Sequence, residues 1–278
     1  MMAEKETQEF SKSWRYFDHS NRGPEYDALQ SFAFDDMLCQ TVGNSGGAAF
    51  RAWVHHHTVV LGTQDSRLPY IHEGLTFLSP QYRAVVRNSG GLAVMLDEGV
   101  LNLSLIFQEE KGWSINAGYD MMVTLIRTMF STYRDQIEAR EIVGSYCPGS
   151  YDLSIGGRKF AGISQRRTRG GVAVQIYLCV TGSGSARAGV IRDFYEEALQ
   201  DGETRFDVPA IRPETMASLE ELTGEALTVK DVLQRALQAM TELGAKLVPS
   251  EATKEEQGLF EQQLIRVTQR HDRCLAPI

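Results

Sequence analysis

The sequence predicts an α+β fold, a mixed β-sheet with flanking helices, and three observations predict it. Segments that alternate apolar and polar residues, such as Val100 to Phe107, or that run rich in β-branched residues, such as Val172 to Val180, recur through the first two thirds of the chain between glycine-rich turns. Helical-period segments interrupt them at Tyr26 to Val42 and at Asn116 to Tyr133. From about Ala186 onward helical patterns follow one another, and a sheet-rich body with a helical end is an α+β arrangement.

Taken in order, Trp14 to Asp18 reads as a short strand. Tyr26 to Val42 reads as a helix with Leu29, Phe32, Ala33, Asp36 and Leu38 near the helical period, ended by Gly43-Asn44-Ser45-Gly46-Gly47. Arg51 to Leu61 reads as one strand carrying His55-His56-His57, with His55 and His57 on one face and His56 on the other. A metal site there lacks a third ligand, so packed strand histidines are the expectation and no metal is expected. Arg83 to Arg87 is a strand running into Asn88-Ser89-Gly90-Gly91, glycines that let a ligand approach the backbone. In Val100 to Phe107, Leu101, Leu103, Leu105 and Phe107 oppose Asn102 and Ser104, as in a half-buried strand. Asn116 to Tyr133 is an amphipathic helix capped near Asn116, and Val172 to Val180 is a β-branched central strand holding Cys179 in the core. Helices are expected at about Ala186 to Leu199, Pro213 to Leu222, Thr228 to Leu243 with Thr228 as N-cap, and Lys254 to Arg270.

With 278 residues and 42% hydrophobic content the chain can bury a large core. It is read as one domain over 1–278, with its core at about 30–250 and C-terminal helices 214–270 packed on it. A net charge of -8 argues against a general nucleic-acid surface. Against it stands the local cluster Arg158, Lys159, Arg166, Arg167 and Arg169, either a docking patch for an acidic partner or a solvated basic hairpin edge. No apolar run approaches the ~18 residues of a membrane span, and Met1-Met2-Ala3-Glu4-Lys5-Glu6 is charged, so no membrane association and a cytoplasmic location are expected. Cys39, Cys147, Cys179 and Cys274 are widely spaced without a CxxC pair, which suggests neither a zinc site nor a disulfide framework.

The chemistry concentrates in the stretch from Ser145 to Arg167. Tyr151 to Ile155 alternates, Gly156-Gly157 supplies a two-residue turn that takes φ > 0 at both positions, and a second strand follows from Arg158. Pairing across this hairpin sets Ile155 against Arg158, Ser154 against Lys159, Leu153 against Phe160 and Asp152 against Ala161. Ser154, Lys159 and Asp152 then share one face. An unbroken strand would carry Cys147 roughly 23 Å from Ser154, out of reach of the Lys159 amine. Pro148-Gly149 breaks the strand, and a bend there is expected to bring Cys147 back to Lys159. A thiolate attacks acyl groups well, and a neighbouring ammonium favours it and offers a proton to a leaving group. On spacing alone, the reading of Cys147 as a small apolar filler and Lys159 as a surface charge is the favoured one.

Arg87-Asn88-Ser89-Gly90-Gly91, together with Gly157-Arg158-Lys159-Phe160-Ala161-Gly162-Ile163-Ser164-Gln165, resembles the lipoate and biotin protein ligase and octanoyltransferase superfamily. Within it, Ser145-Tyr146-Cys147-Pro148-Gly149-Ser150-Tyr151-Asp152 resembles the branch of bacterial amidotransferases that move an octanoyl group from glycine-cleavage H protein to lipoyl domains. The resemblance implies a biotin/lipoyl protein ligase-like catalytic domain that works without metal or organic cofactor. It implies Cys147 as carrier of the acyl-thioester and Lys159 as its activating residue. Arg87, Gly90, Gly91, Gly162 and Ser164 become candidate substrate-binding residues, with Leu92, Val94 and Leu103 as apolar walls. The implied donor is the octanoylated H protein, and the implied acceptors are lipoyl domains of 2-oxoacid dehydrogenase E2 subunits. Octanoyl-acyl carrier protein as donor, an ATP-dependent lipoate ligase, and a non-catalytic acyl- or lipoyl-domain-binding module are the alternatives. Met95-Leu96-Asp97 lacks the histidine that many ligases place in the glycine-rich motif, and a ligase has no need of Cys147, so both features favour transfer.

Overall fold

In the computed structural model, which describes residues 10–110 and 112–276, the chain is α+β. The strands are β1 (Ser13–His19), β2 (Ala48–Trp53), β3 (Thr58–Leu61), β4 (Arg83–Val86), β5 (Val94–Leu96), β6 (Val100–Gln108), β7 (Ile137–Ala139), β8 (Leu153–Ile155), β9 (Arg158–Thr168), β10 (Gly171–Cys179) and β11 (Lys246–Pro249). The helices are α1 (Ala28–Ser45), α2 (Ile71–Leu78), α3 (Ile115–Met129), α4 (Gly184–Leu199), α5 (Leu219–Thr223), α6 (Val229–Glu242) and α7 (Lys254–Leu275). A large sheet has the order β11-β1-β2-β6-β10-β9-β8-β7, and a small one the order β4-β3-β5. β1 runs parallel to both β11 and β2, whereas β6, β10 and β9 pair antiparallel, so the large sheet is mixed.

Alternation assigns the two faces of the large sheet. Leu101, Leu103, Leu105 and Phe107 of β6, with Val172, Val174, Ile176 and Leu178 of β10, join one core with Met121, Leu125 and Ile126 of α3 and Val232 and Ala236 of α6. The opposite face carries Asn102, Ser104 and Gln175, and it is buried rather than solvated. Helix α1 covers it and brings Asp35, whose carboxylate accepts from Arg51 Nη1 at 2.8 Å, Ser104 Oγ at 2.8 Å and Gln175 Nε2 at 2.6 Å. The polar half of the β6 alternation thus marks a satisfied buried network, as buried polar groups require.

Several sequence expectations are corrected. Arg51 to Leu61 is two strands in different sheets, because the chain breaks at Val54 to His57 and His57 takes φ 45°. His55 and His57 therefore do not share a strand face. His55 is held by its ring nitrogens, Nδ1 3.1 Å from the Tyr26 carbonyl and Nε2 3.0 Å from Ser31 Oγ. Helix α3 is capped by Ser114, whose hydroxyl accepts from Ala117 N, two residues before Asn116. The stretch expected as a helix from Pro213 to Leu222 contains a 3₁₀ turn at Pro213–Thr215 followed by α5. Thr228 caps α6 in a capping box with Asp231, as its position before the apolar repeat indicates.

The basic cluster does not form a hairpin edge, because β9 lies inside the sheet between β10 and β8. Lys159 is buried, Arg166 is paired with Asp36, and Arg167 Nη1 lies 2.6 Å from Glu109 Oε1. At the C-terminal end, α7 packs along α1, and β11 adds to the sheet beside β1. Among the described residues no helix is long and apolar enough to cross a membrane.

Candidate active site

Gly156 and Gly157 have φ of 57° and 74°, so the hairpin joining β8 and β9 closes through the two-residue turn that the glycines demand. Ser154 pairs with Lys159 and Ile155 with Arg158. One residue further the register slips. Leu153 pairs with Ala161 rather than Phe160, a bulge that also shifts Asp152 off Ala161. Leu153 and Phe160 both remain in the apolar core.

Lys159 is fully buried, and its Nζ lies 2.9 Å from Asp152 Oδ1. The same nitrogen donates to the carbonyls of Tyr146 and Cys147, each at 2.9 Å, and reaches Ser145 Oγ at 3.3 Å. The bend at Pro148-Gly149 therefore does return Cys147 to Lys159, through the backbone of Cys147. Asp152 Oδ2 accepts from Gly149 N at 3.2 Å and Ile142 N at 3.3 Å, which ties both ends of the Cys147 loop to the ion pair. Burial pushes the Asp152 carboxyl upward, and the Lys159 charge pulls against that push. Within this clamp Cys147 adopts φ 44°, a left-handed conformation that a non-glycine residue holds only where its surroundings impose it.

The sulfur meets the loop after β4. Cys147 Sγ receives the Leu92 N–H at 3.2 Å and Arg87 Nη2 at 3.2 Å. Arg87 also donates to the Leu92 carbonyl. Gly91, at φ 104°, makes this approach possible: a Cβ there would overlap the guanidinium and sit 3.0 Å from the sulfur. The loop is braced from behind. Tyr195 Oη accepts from Ala93 N at 3.2 Å and donates to Asp65 Oδ1 at 2.8 Å, while Asp65 Oδ2 accepts from Gly62 N at 2.7 Å. Burial raises the Asp65 carboxyl to about 6. Ahead of the glycines, Asn88 is held by Asp36 Oδ2 through its side chain and by Arg166 through its carbonyl, each at 2.8 Å.

Cys147, Arg87, Gly90, Gly91, Gly162 and Ser164 all line one cavity of about 260 Å³. That volume is a little below the ~300–1,000 Å³ typical of sites for drug-sized ligands. Its apolar wall includes Val60, Val94 and Leu96. Of the expected wall residues only Val94 contributes. Leu103 faces the core on the other side of the sheet, and Leu92 serves through its backbone N–H. Gly162 lies opposite Tyr177 on β10, and a Cβ there would meet the Tyr177 ring at 2.7 Å, so the glycine leaves the space that ring occupies. Lys159 stands behind the wall, whereas Asp152 reaches it. Asp152 was legible as a same-face neighbour of Lys159 in the hairpin. Nothing local in the sequence marks Asp65, Tyr195 or the Leu92 N–H.

A family model described as the lipoyl protein ligase A/B catalytic domain matches residues 27–241. The chain belongs to this family. It is 56% identical over 263 residues to a protein of Exiguobacterium sibiricum named octanoyl-GcvH:protein N-octanoyltransferase, covering 94% of this chain and 96% of that one. A Staphylococcus aureus protein of the same name is 47% identical, covering 95% of each chain. Among solved structures, lipoate-protein ligase A bound with ATP superposes with a TM-score of 0.73 at 15% identity, covering 95% of this chain and 99% of that one. A bipartite lipoate protein ligase from Thermoplasma acidophilum gives 0.69 at 15% identity, covering 96% and 98%. The lipoyl protein ligase fold is therefore shared over nearly the whole chain.

Proposed function

We propose that this chain transfers an octanoyl group from an octanoyl-lysine of GcvH, the glycine-cleavage H protein, to a lysine of lipoyl domains on 2-oxoacid dehydrogenase E2 subunits, as a cytoplasmic step of lipoate assembly. The near full-length identity to proteins named for this transfer supports the reading. The observation that carries it is the Cys147 sulfur with two N–H donors on it, in a residue that lines a small cavity with an apolar side. The 1–278 chain acts as one catalytic domain with its core at about 30–250, and the C-terminal helices 214–270 are packed on it.

Cys147 Sγ attacks the carbonyl carbon of the donor amide. As the S–C bond forms, the carbonyl π pair moves to oxygen. Collapse returns that pair and breaks the C–N bond, and the departing lysine nitrogen leaves with its electrons and takes a proton. A bound water, or Lys159 acting through it, supplies that proton, and Lys159, paired with Asp152 behind the cavity wall, keeps the 146–147 backbone in its attacking position. The acceptor lysine, as the free amine, then attacks the thioester carbon; the C–S bond breaks with its pair returning to Cys147 Sγ, and the proton lost by the acceptor nitrogen replaces the one given to the donor amine. Arg87, Gly90, Gly91, Gly162 and Ser164 bind the acyl chain and its carbonyl along the cavity.

Donor and product are both lysine amides, so the net reaction is nearly thermoneutral and the thioester is the uphill species. Little acyl-enzyme should accumulate from octanoylated H protein, whereas a thioester donor able to bind should fill Cys147. The deciding experiment presents octanoylated H protein and octanoyl-acyl carrier protein separately with an apo lipoyl domain, and follows the acceptor by intact mass. Transfer from the H protein that disappears in Cys147→Ala supports the reading. Transfer from the carrier protein alone, or undiminished transfer by Cys147→Ala, overturns it.

A further inference from the structure

We propose that Arg87 is the catalytic cation of this site: at rest it holds Cys147 as a thiolate, and during transfer it receives the charge that passes from sulfur to the carbonyl oxygen. The inference rests on the reading of Cys147 as nucleophile. Arg87 follows β4 and is 6% exposed, yet it lines the cavity, and its guanidinium reaches the Cys147 sulfur. The two hydrogens of Nη2 have two acceptors, the Leu92 carbonyl and Cys147 Sγ. With the Leu92 N–H, the sulfur thus faces two donors, one of them fully charged. A neutral thiol is a weak acceptor with a hydrogen of its own to place, whereas a thiolate is acceptor-only and is stabilised by such partners.

Lys159 cannot take this role in the observed geometry. Its three ammonium hydrogens face four acceptors within 3.3 Å, none of them the sulfur, and it does not line the cavity. The two cations therefore divide the work. Lys159 builds the strained backbone of Cys147, and Arg87 serves its side chain.

A second observation points from sulfur to substrate. Arg87 Nε–H is buried and has no acceptor among the described residues. A buried donor left unpaired is costly and asks for an explanation, and an acyl carbonyl arriving in the cavity supplies the missing acceptor. Nε–H lies on the same edge of the planar guanidinium as one Nη2 hydrogen. When the sulfur lone pair becomes the S–C bond, sulfur ceases to be a strong acceptor and the carbonyl oxygen becomes one. Arg87 and the Leu92 N–H then donate to that oxygen until the C–N bond breaks and its pair returns. Gly91 is the permissive element, since any side chain there would displace the guanidinium.

The test is the pH dependence of Cys147 alkylation by iodoacetamide in the full chain, read by intact mass with Cys147→Ala as background. Arg87→Met should slow alkylation at pH 7 at least tenfold and move the inflection to higher pH, and Arg87→Lys should recover part of the loss. Gly91→Ala, which displaces the guanidinium without removing it, should shift the inflection the same way, and it decides the matter if Arg87→Met does not fold. Profiles for Arg87→Met or Gly91→Ala that superimpose on the wild type overturn the proposal. Alkylation needs no acyl substrate, so that result leaves the nucleophile reading standing. Undiminished octanoyl transfer by Cys147→Ala instead overturns the nucleophile reading.

Discussion

Replacing Lys159 with methionine preserves much of the side-chain volume and removes only the charge. Asp152, 2% exposed, then stays in the interior without its countercharge, and the carbonyls of Tyr146 and Cys147 lose their common donor. Breaking a buried ion pair from one side costs about 3–5 kcal/mol, and an orphaned buried acceptor about 1–3 kcal/mol more. A total near 5 kcal/mol is a large share of the ~5–15 kcal/mol that holds a folded protein together. The pH dependence follows from Asp152. Burial already pushes its carboxyl up, and Lys159 is the main opposing influence. In Lys159→Met the upward push stands alone. The folded variant therefore keeps a proton that its unfolded chain releases, and its stability rises toward wild type as pH falls. Urea unfolding followed by tryptophan fluorescence at pH 5 and pH 8 should show the larger deficit at pH 8, with an unchanged m-value. Adding Asp152→Asn should recover part of it. A loss below about 1 kcal/mol, or one independent of pH, would refute the claim that this pair clamps the Cys147 loop.

Three further outcomes are expected. Gly91→Ala should cost only about 1–2 kcal/mol of stability for its φ of 104°, yet slow octanoyl transfer by roughly a hundredfold, because the added methyl lies between Arg87 and Cys147; parallel unfolding and transfer assays separate the two effects. Tyr195→Phe removes the hydroxyl that bridges Ala93 N and Asp65, and should lower stability by about 1–3 kcal/mol and slow transfer through the adjacent Leu92 N–H, as chemical unfolding and rate measurements will report. Burial first, and then the Arg51 charge, lower His19 and His55 to about 3, against 6.5 when unfolded. Stability from these neutral histidines is complete above pH 6.5 and is lost as pH falls toward 3, by about 3 kcal/mol each near pH 4. Asp65, which holds its proton up to about 6, offsets part of that loss. Unfolding midpoints measured from pH 7 to pH 4 should fall, and His55→Asn should flatten the slope.

Local chemistry wrote the legible parts of this protein. The Gly156-Gly157 turn, the Thr228 cap and the alternation of β6 each depend on residues within a few positions of one another, and each formed where its pattern indicated. The same alternation misled on exposure, since Asn102 and Ser104 look solvated until β2 presents the Trp53 carbonyl to Asn102 and α1 brings Asp35 to Ser104. His55 to His57 looked like strand continuation because β-branched neighbours flank it, yet two sheets compete for the chain there and break it.

For the site, the bend after Cys147 and the lysine to which it returns that residue were legible in the sequence by itself. Proline, glycine and the hairpin register act over the fourteen positions that separate Ser145 from Lys159. Only the tertiary structure decided what each cation does. Arg87 and Cys147 are 60 residues apart, and Tyr195 reaches Asp65 across 130. Contacts of that span are set by how the two sheets and α4 pack, and no local pattern encodes which donor arrives at the sulfur.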